Sequence, residues 1–152
     1  METVTETARV LLVATVLAGS GFGVFVWRLL RIPTSEPERL IGELRFAHWM
    51  ALSLAAVGGA WIGLAAGRQS QILSGIDLTI AIALIVTAAW TLQRDVRGAL
   101  ALLCVAFLIH AVVDAAHRPD WMAADIAPWW FTLGCGAYNL YLSLLCYIVQ
   151  RR

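Results

Sequence analysis

Five long apolar runs constrain this chain more than any other feature of its sequence. A helix needs about 20 apolar residues to cross roughly 30 Å of hydrocarbon. Hydrophobic residues make up 61% of the 152 residues and charged residues only 14%, against roughly 25% charged residues in a soluble domain. The sequence therefore predicts one all-α domain, residues 1–152, built as an integral membrane bundle of five transmembrane helices, over residues 10–30, 43–66, 75–92, 97–116 and 128–150.

The arginines next to the predicted spans indicate an orientation, because cytoplasmic loops accumulate basic residues. One side of the bundle carries eight arginines: Arg28, Arg31, Arg39, Arg45, Arg94, Arg97, Arg151 and Arg152. The opposite side carries three: Arg9, Arg68 and Arg118. All 11 basic residues are arginine, a bias that is typical of GC-rich bacterial genomes. We therefore expect a multi-pass protein of the bacterial cytoplasmic membrane, with its N-terminus outside and its C-terminus inside.

The tryptophans agree with five spans, because indole rings favour the two membrane interfaces. Four of them are predicted at the outer interface: Trp61, Trp121, Trp129 and Trp130. Three are predicted at the inner interface: Trp27, Trp49 and Trp90. Two helices also carry glycines four residues apart, Gly19 and Gly23 in the first and Gly59 and Gly63 in the second. This spacing predicts close helix contacts, within the bundle or with a partner.

Composition excludes several other kinds of partner and site. A net charge of +1 and the lack of any basic run give no argument for nucleic acid. Cys104, Cys135 and Cys146 lie in apolar runs without a metal-binding or redox spacing, and are interpreted as small buried hydrophobic residues. The expected partners are the lipid bilayer and other membrane-protein subunits or further copies of the chain.

The stretch HAVVDAAHRPDW, residues 110–121, places a polar stripe on the fourth helix. His110, Asp114 and His117 fall within about 60° of one another on one helix face. Histidine and carboxylate ligands suit a divalent metal such as zinc or iron. Positions i and i+7 are about 10.5 Å apart, so one ion would take two of these residues. A metal site then needs a ligand from another helix, and Asp77 is the predicted one.

Other polar residues are candidates for binding a ligand. Tyr138 and Asn139 on the fifth helix are predicted near His110, and His48 lies in the second helix near the opposite face of the membrane. His48 suits a quinone head group or a haem edge, but its depth does not match that of His110, which argues against bis-histidine haem. Two further interpretations of the stripe stay open: a network of hydrogen bonds among its own side chains, and proton or electron chemistry.

The second half of the chain carries a family resemblance. The run from Gly75 to His117 has a glycine at its helix start, a short arginine-rich turn, and a helix with a His-x3-Asp-x2-His pattern. It resembles a hairpin of small DoxX-like bacterial membrane proteins that ends in His-x3-His-x2-His, and Asp114 stands at the middle position. The resemblance covers residues 74–150. It implies a four-helix protein similar to helical subunits of membrane oxidoreductases, whereas this chain has five predicted spans.

Small size, packing faces on the helices and the lack of a complete catalytic set favour one function. We expect a small accessory or assembly subunit of a larger membrane complex, such as a redox complex. The alternative is a metal-dependent membrane enzyme, or a binder of a hydrophobic ligand, which uses Asp77, His110, Asp114 and His117 as a pocket in the outer leaflet. A tetrapyrrole or sterol binder of the TspO kind would also have five spans, but the sequence lacks the Trp-Pro motifs of that family.

Overall fold

The computed structural model describes residues 2–66, 71–117 and 127–152. These residues form five α-helices: α1 Glu2–Leu30, α2 Pro37–Ala66, α3 Gln71–Thr91, α4 Val96–Ala116 and α5 Trp129–Arg151. The prediction of an all-helical chain with five helices is confirmed. Four of the helices, α1, α2, α4 and α5, are long and apolar enough to cross a membrane, as expected of a multi-pass membrane protein. In α3 the described apolar segment, Gly75–Thr91, is shorter.

Two helices begin earlier than the hydrophobic runs predicted. The first helix begins at Glu2, not near residue 10, and the second begins at Pro37, not near residue 43. Both extensions carry charged residues, and hydrogen-bonded helix continues through them because nothing in either segment breaks it. Pro37 fits the first position of a helix, where its missing N–H has no intrahelical partner anyway. The 30 residues of α2 therefore extend to about 45 Å, beyond the hydrocarbon thickness of a bilayer.

Four of the helices form two tightly packed pairs, and the fifth packs loosely against them. α4 packs most extensively against α5, and α2 against α3. A core that includes Phe46, Met50, Leu103, Phe107 and Leu142 joins the pairs, and each of these side chains is fully buried. In α1, by contrast, only 6% of the apolar segment is buried, against 44% in α4. α1 is therefore a peripheral helix.

Close approach within the tight pairs depends on two glycines. A Cβ atom on Gly58 of α2 would lie 2.8 Å from the carbonyl oxygen of Ala81 in α3. A Cβ atom on Gly136 of α5 would lie 3.3 Å from the Cβ atom of Asp114 in α4. Larger residues would push these backbones apart. Gly136 brings its neighbours on α5 against the polar stripe of α4.

The two pairs of spaced glycines have different surroundings. Gly19 and Gly23 of α1 lie against Tyr141 of α5, whose hydroxyl donates a hydrogen bond to the carbonyl oxygen of Gly19 at 2.8 Å. Within the described part of the chain, a Cβ atom added to Gly59 or Gly63 of α2 would meet nothing within 4 Å. The first pair thus makes a contact inside the bundle, and the second faces outward.

One tryptophan departs from the predicted interfacial belts. Trp61 is only 2% exposed and packs inside the bundle, so its interpretation as a membrane anchor is wrong. Depth along a helix does not fix the direction of a side chain around the helix axis, and Trp61 faces the core. At the other end of the bundle Trp27 and Trp90 are half exposed, and the guanidinium groups of Arg31 and Arg94 stack on their rings. Trp121 lies outside the described residues.

Candidate functional site

The polar stripe of α4 is buried among four helices. His110 is 1% exposed, Asp114 2% and His117 5%. Two polar residues of other helices are buried with them: Asp77 of α3 and Asn139 of α5. An ionisable side chain within a membrane span costs about 2.5 to 3.5 kcal/mol on insertion scales, so each of these groups needs a partner or a function. The contacts divide them into two separate sets.

The first set, the deep cluster, consists of His110, Asp114, Cys135 and Asn139. The side-chain amide nitrogen of Asn139 lies 2.9 Å from His110 Nδ1, 2.9 Å from Asp114 Oδ2 and 3.4 Å from Cys135 Sγ. His110 Nδ1 is itself 3.1 Å from Asp114 Oδ2. Each helix contributes two residues four positions apart, which places both side chains on one face. Gly136 lets the two faces meet.

Counting protons in the deep cluster shows that its contacts cannot all be hydrogen bonds at once. An amide nitrogen carries two hydrogens, and a neutral imidazole carries one. When Nδ1 of His110 is protonated it donates to Asp114, but its contact with the Asn139 amide then sets one N–H against another. When Nδ1 is unprotonated it accepts from that amide, and its contact with Asp114 is left without a proton. Three further buried atoms have no partner among the described residues: His110 Nε2, Asp114 Oδ1 and Asn139 Oδ1. A cation bound by an unprotonated Nδ1 would replace the two conflicting contacts.

The second set is the pair of Asp77 and His117, which joins α3 to α4. His117 Nε2 lies 3.0 Å from Asp77 Oδ1, and His117 Nδ1 lies 2.8 Å from the carbonyl oxygen of Val113. Because a carbonyl oxygen only accepts, Nδ1 must carry a proton. One further proton then lies between Nε2 and the carboxylate. Both ring nitrogens of His117 have partners, as expected of a structural link between helices.

Trp61 of α2 forms a wall common to both sets. Its ring centroid lies 5.5 Å from that of His110 and 4.7 Å from that of His117. The indole N–H is buried and has no hydrogen-bond partner within the described ranges. Trp61 therefore excludes lipid from the side of the site that faces α2.

No family model matches the chain, and no curated protein or solved structure matches it. The chemistry of the site must therefore be inferred from its own residues.

The structure brings together only part of the predicted site. Asn139 contacts His110 and Asp114, whereas Asp77, the predicted third ligand, pairs with His117. Tyr138 is not in the deep cluster; it packs beside Tyr141, with 6.4 Å between the ring centroids, and near Gly19 of α1. His48 is exposed on α2, in the half of that helix near the arginine-rich end of the bundle. The predicted ligand-binding group of His48, Tyr138 and Asn139 is therefore not a single site.

Sequence reasoning missed Cys135 and Trp61 as members of the site. Cys135 was interpreted as a small buried hydrophobic residue, and Trp61 as a membrane anchor. A signal for Cys135 was present: it lies four residues before Asn139, so the two share a helix face. For Trp61 the sequence offered no such signal, because its depth suits an interface as well as it suits the wall of a site.

Three of these residues form a group with metal-ligand chemistry. One ligand atom from each of His110, Asp114 and Cys135 lies within 4.8 Å of the other two. Around a tetrahedral zinc ion, nitrogen, oxygen and sulfur ligands at about 2.0 to 2.3 Å are about 3.3 to 3.6 Å apart. A contraction of about 1 Å, with rotation of the Asn139 amide away from the centre, would give that geometry. The deep cluster is therefore a candidate metal centre.

Proposed function

We propose that the chain is a membrane protein that binds one divalent transition-metal ion, zinc or iron, at the deep cluster. The observation that carries this proposal is the convergence of His110, Asp114 and Cys135 on one point, occupied by the amide nitrogen of Asn139. Imidazole, carboxylate and thiolate are the usual protein ligands of zinc, and imidazole and carboxylate also suit iron. A cation at this point needs an unprotonated Nδ1 on His110, so that Nδ1, Asp114 Oδ2 and Cys135 Sγ each offer it an electron pair.

The charges of the ligands favour a divalent ion. A carboxylate on Asp114 and a thiolate on Cys135 contribute two negative charges, and His110 binds as a neutral ring. A divalent ion then makes the site neutral, which matters because an unbalanced charge within a membrane is costly. Binding would release the thiol proton of Cys135, so affinity is expected to rise with pH.

Three protein ligands leave a fourth position for the chemistry. The carbonyl oxygen of Asn139 could fill it after the amide turns, or a substrate or water could bind there. Catalytic zinc sites keep such an open position, where the metal polarises a bound oxygen. This arrangement supports a metal-dependent membrane enzyme or a binder of a hydrophobic ligand, with Trp61 as part of the pocket wall.

A network that only stabilises the fold explains the deep cluster less well. A buried acceptor without a partner costs about 1 to 3 kcal/mol, and the deep cluster has two such oxygens among the described residues, Asp114 Oδ1 and Asn139 Oδ1. The pair of Asp77 and His117 shows what a structural contact at this depth looks like, since both nitrogens of its imidazole ring are engaged. We therefore assign the structural role to that pair and metal binding to the deep cluster.

The proposal includes five membrane spans, with the N-terminus outside and the C-terminus in the cytoplasm of a bacterium. Its support is the position of the arginines, which cluster where α1, α3 and α5 end and where α2 and α4 begin. In this orientation α3 crosses with the shortest described apolar segment, and the deep cluster lies in the outer half of the membrane.

Substitution of one proposed ligand residue, with Co²⁺ as the spectroscopic probe, tests the proposal. We expect the wild-type protein to bind one Co²⁺ ion with an intense thiolate-to-metal charge-transfer band. A Cys135→Ser variant should lose that band and bind at least about a hundredfold more weakly, since even residues behind metal ligands affect affinity by about 10- to 100-fold. Cys104→Ser is the matched control, because Cys104 lies beside Ser143 and outside the cluster. Identical spectra for the wild type and Cys135→Ser would contradict the proposal.

A second candidate function is an accessory or assembly subunit of a larger membrane complex. It is favoured by the loosely packed α1 and by the outward face of Gly59 and Gly63, which is free of neighbours in the described structure. Extraction of native membranes with a mild detergent tests it. We expect the chain to purify with other subunits, whereas a chain that is always recovered alone would count against this function.

A further inference from the structure

A groove of about 600 Å³ lies between α1 and α2, where the chain passes from one to the other. Its walls include the apolar side chains of Val24, Phe25 and Ile41, and Arg28 and Arg45 also line it. This is the arginine-rich end of the bundle, opposite to the deep cluster. The groove is therefore independent of the proposed metal site.

The helix register places the two arginines at neighbouring levels of the groove. The rings of Phe25 and Phe46 stack with their centroids 5.9 Å apart, so Arg45, next to Phe46, lies close to the level of Phe25. Arg28 is three residues further along α1, about 4.5 Å closer to the end of the bundle. Gly21 lies about 6 Å deeper than Phe25. The groove thus has two cations towards its outer end and an apolar floor below them.

The charges of these two arginines are not neutralised by neighbours. Within the described residues, the side chains of Arg28 and Arg45 have no ion pair or hydrogen bond, although Glu38 lines the same groove. Three other arginines of this end are engaged: Arg39 pairs with Glu43 at 2.6 Å, and Arg31 and Arg94 stack on tryptophan rings. Arg28 and Arg45 therefore present two unpaired positive charges to the groove.

We propose that this groove binds an anionic phospholipid. The lipid phosphate contacts Arg28 and Arg45, and one acyl chain lies against Val24 and Ile41 and reaches towards Gly21. The two arginines match the anionic headgroup of such a lipid, and the apolar floor below them matches its acyl chain. Basic pockets between transmembrane helices bind anionic headgroups in this way.

Lipid retention tests the charge component. The protein is reconstituted in nanodiscs of phosphatidylglycerol and phosphatidylcholine. It is then released from the nanodiscs in a native mass spectrometer, and the lipids that stay bound to it are counted. A basic residue near an anionic headgroup changes affinity by roughly fivefold, so Arg28→Gln/Arg45→Gln should weaken retention of phosphatidylglycerol roughly 25-fold. Arg97→Gln/Arg152→Gln removes the same charge from exposed positions outside the groove and should retain the lipid.

A second variant tests the apolar component without removing charge. A Cβ atom on Gly21 would meet nothing within 4 Å of the described structure, so Gly21→Leu can fold and fill the floor of the groove. We expect it to lose phosphatidylglycerol, while Gly134→Leu, at an equally open position on α5, retains it. Retention at the wild-type level by either groove variant, or equal retention of phosphatidylcholine, would overturn the proposal.

Discussion

In an Asp114→Asn variant, we expect zinc affinity to fall at least about a hundredfold while the metal-free protein stays as stable as the wild type or becomes more stable. The carboxylate of Asp114 is fully buried, and its Oδ1 atom has no partner among the described residues. An amide of the same shape removes a buried charge, whose effective penalty is several kcal/mol. It also removes a ligand, because a neutral amide binds zinc much more weakly than a carboxylate does.

Thermal unfolding in detergent, with and without zinc, measures both effects. Zinc at about 100 times its dissociation constant should stabilise the wild type by about 2.7 kcal/mol, and Asp114→Asn should lose that stabilisation. The matched control is Asp95→Asn at the exposed N-cap of α4, where asparagine caps as well as aspartate. A variant that is less stable without metal and unchanged in its response to zinc would show that Asp114 is only structural.

Replacing Asp77 by alanine should have the converse effect. We expect the free energy of unfolding to fall by about 3 to 5 kcal/mol, because removal of one member of a buried charged pair leaves its partner unpaired. Zinc affinity should stay within about threefold of the wild type, because Asp77 bonds to His117, while the contacts that hold the deep cluster join His110, Asp114, Cys135 and Asn139. Denaturant titration in mixed micelles and a zinc titration give the two quantities.

The conservative variant Asp77→Asn separates the hydrogen bond from the charge. Its amide can donate to Nε2 of a neutral His117, so it should recover part of the stability that alanine loses. A large loss of zinc affinity in Asp77→Ala with unchanged stability would show instead that Asp77 is a metal ligand, as the sequence alone suggested.

The polar stripe was predictable because the helix period fixes which residues share a face. His110, Asp114 and His117 follow from that period alone, and Asn139 follows from its depth on α5. Tyr138 could have been excluded in the same way, since adjacent helical residues point about 100° apart. The number of helices followed from the length of the apolar runs, while their first residues did not, because polar turns continue α1 and α2.

The choice of partners between helices was not predictable, because depth leaves rotation about each helix axis undetermined. Asp77 and Cys135 were both within reach of α4 by depth. Packing decides between them: Gly136 brings Cys135 to the deep cluster, while Asp77 of α3 pairs with His117 at the end of α4. Because this rotation was undetermined, the sequence also did not predict that Trp61 faces the core and that His48 faces outward.

The metal content of the purified chain tests the proposed metal site most directly. The detergent-solubilised protein is dialysed to equilibrium against increasing zinc, and bound metal is measured by mass spectrometry beside a His110→Ala variant. We expect saturation at one zinc ion per chain for the wild type, and at least about a hundredfold weaker binding for the variant. Wild-type protein that binds no stoichiometric zinc, or a variant that binds it equally well, would contradict a metal centre at His110, Asp114 and Cys135.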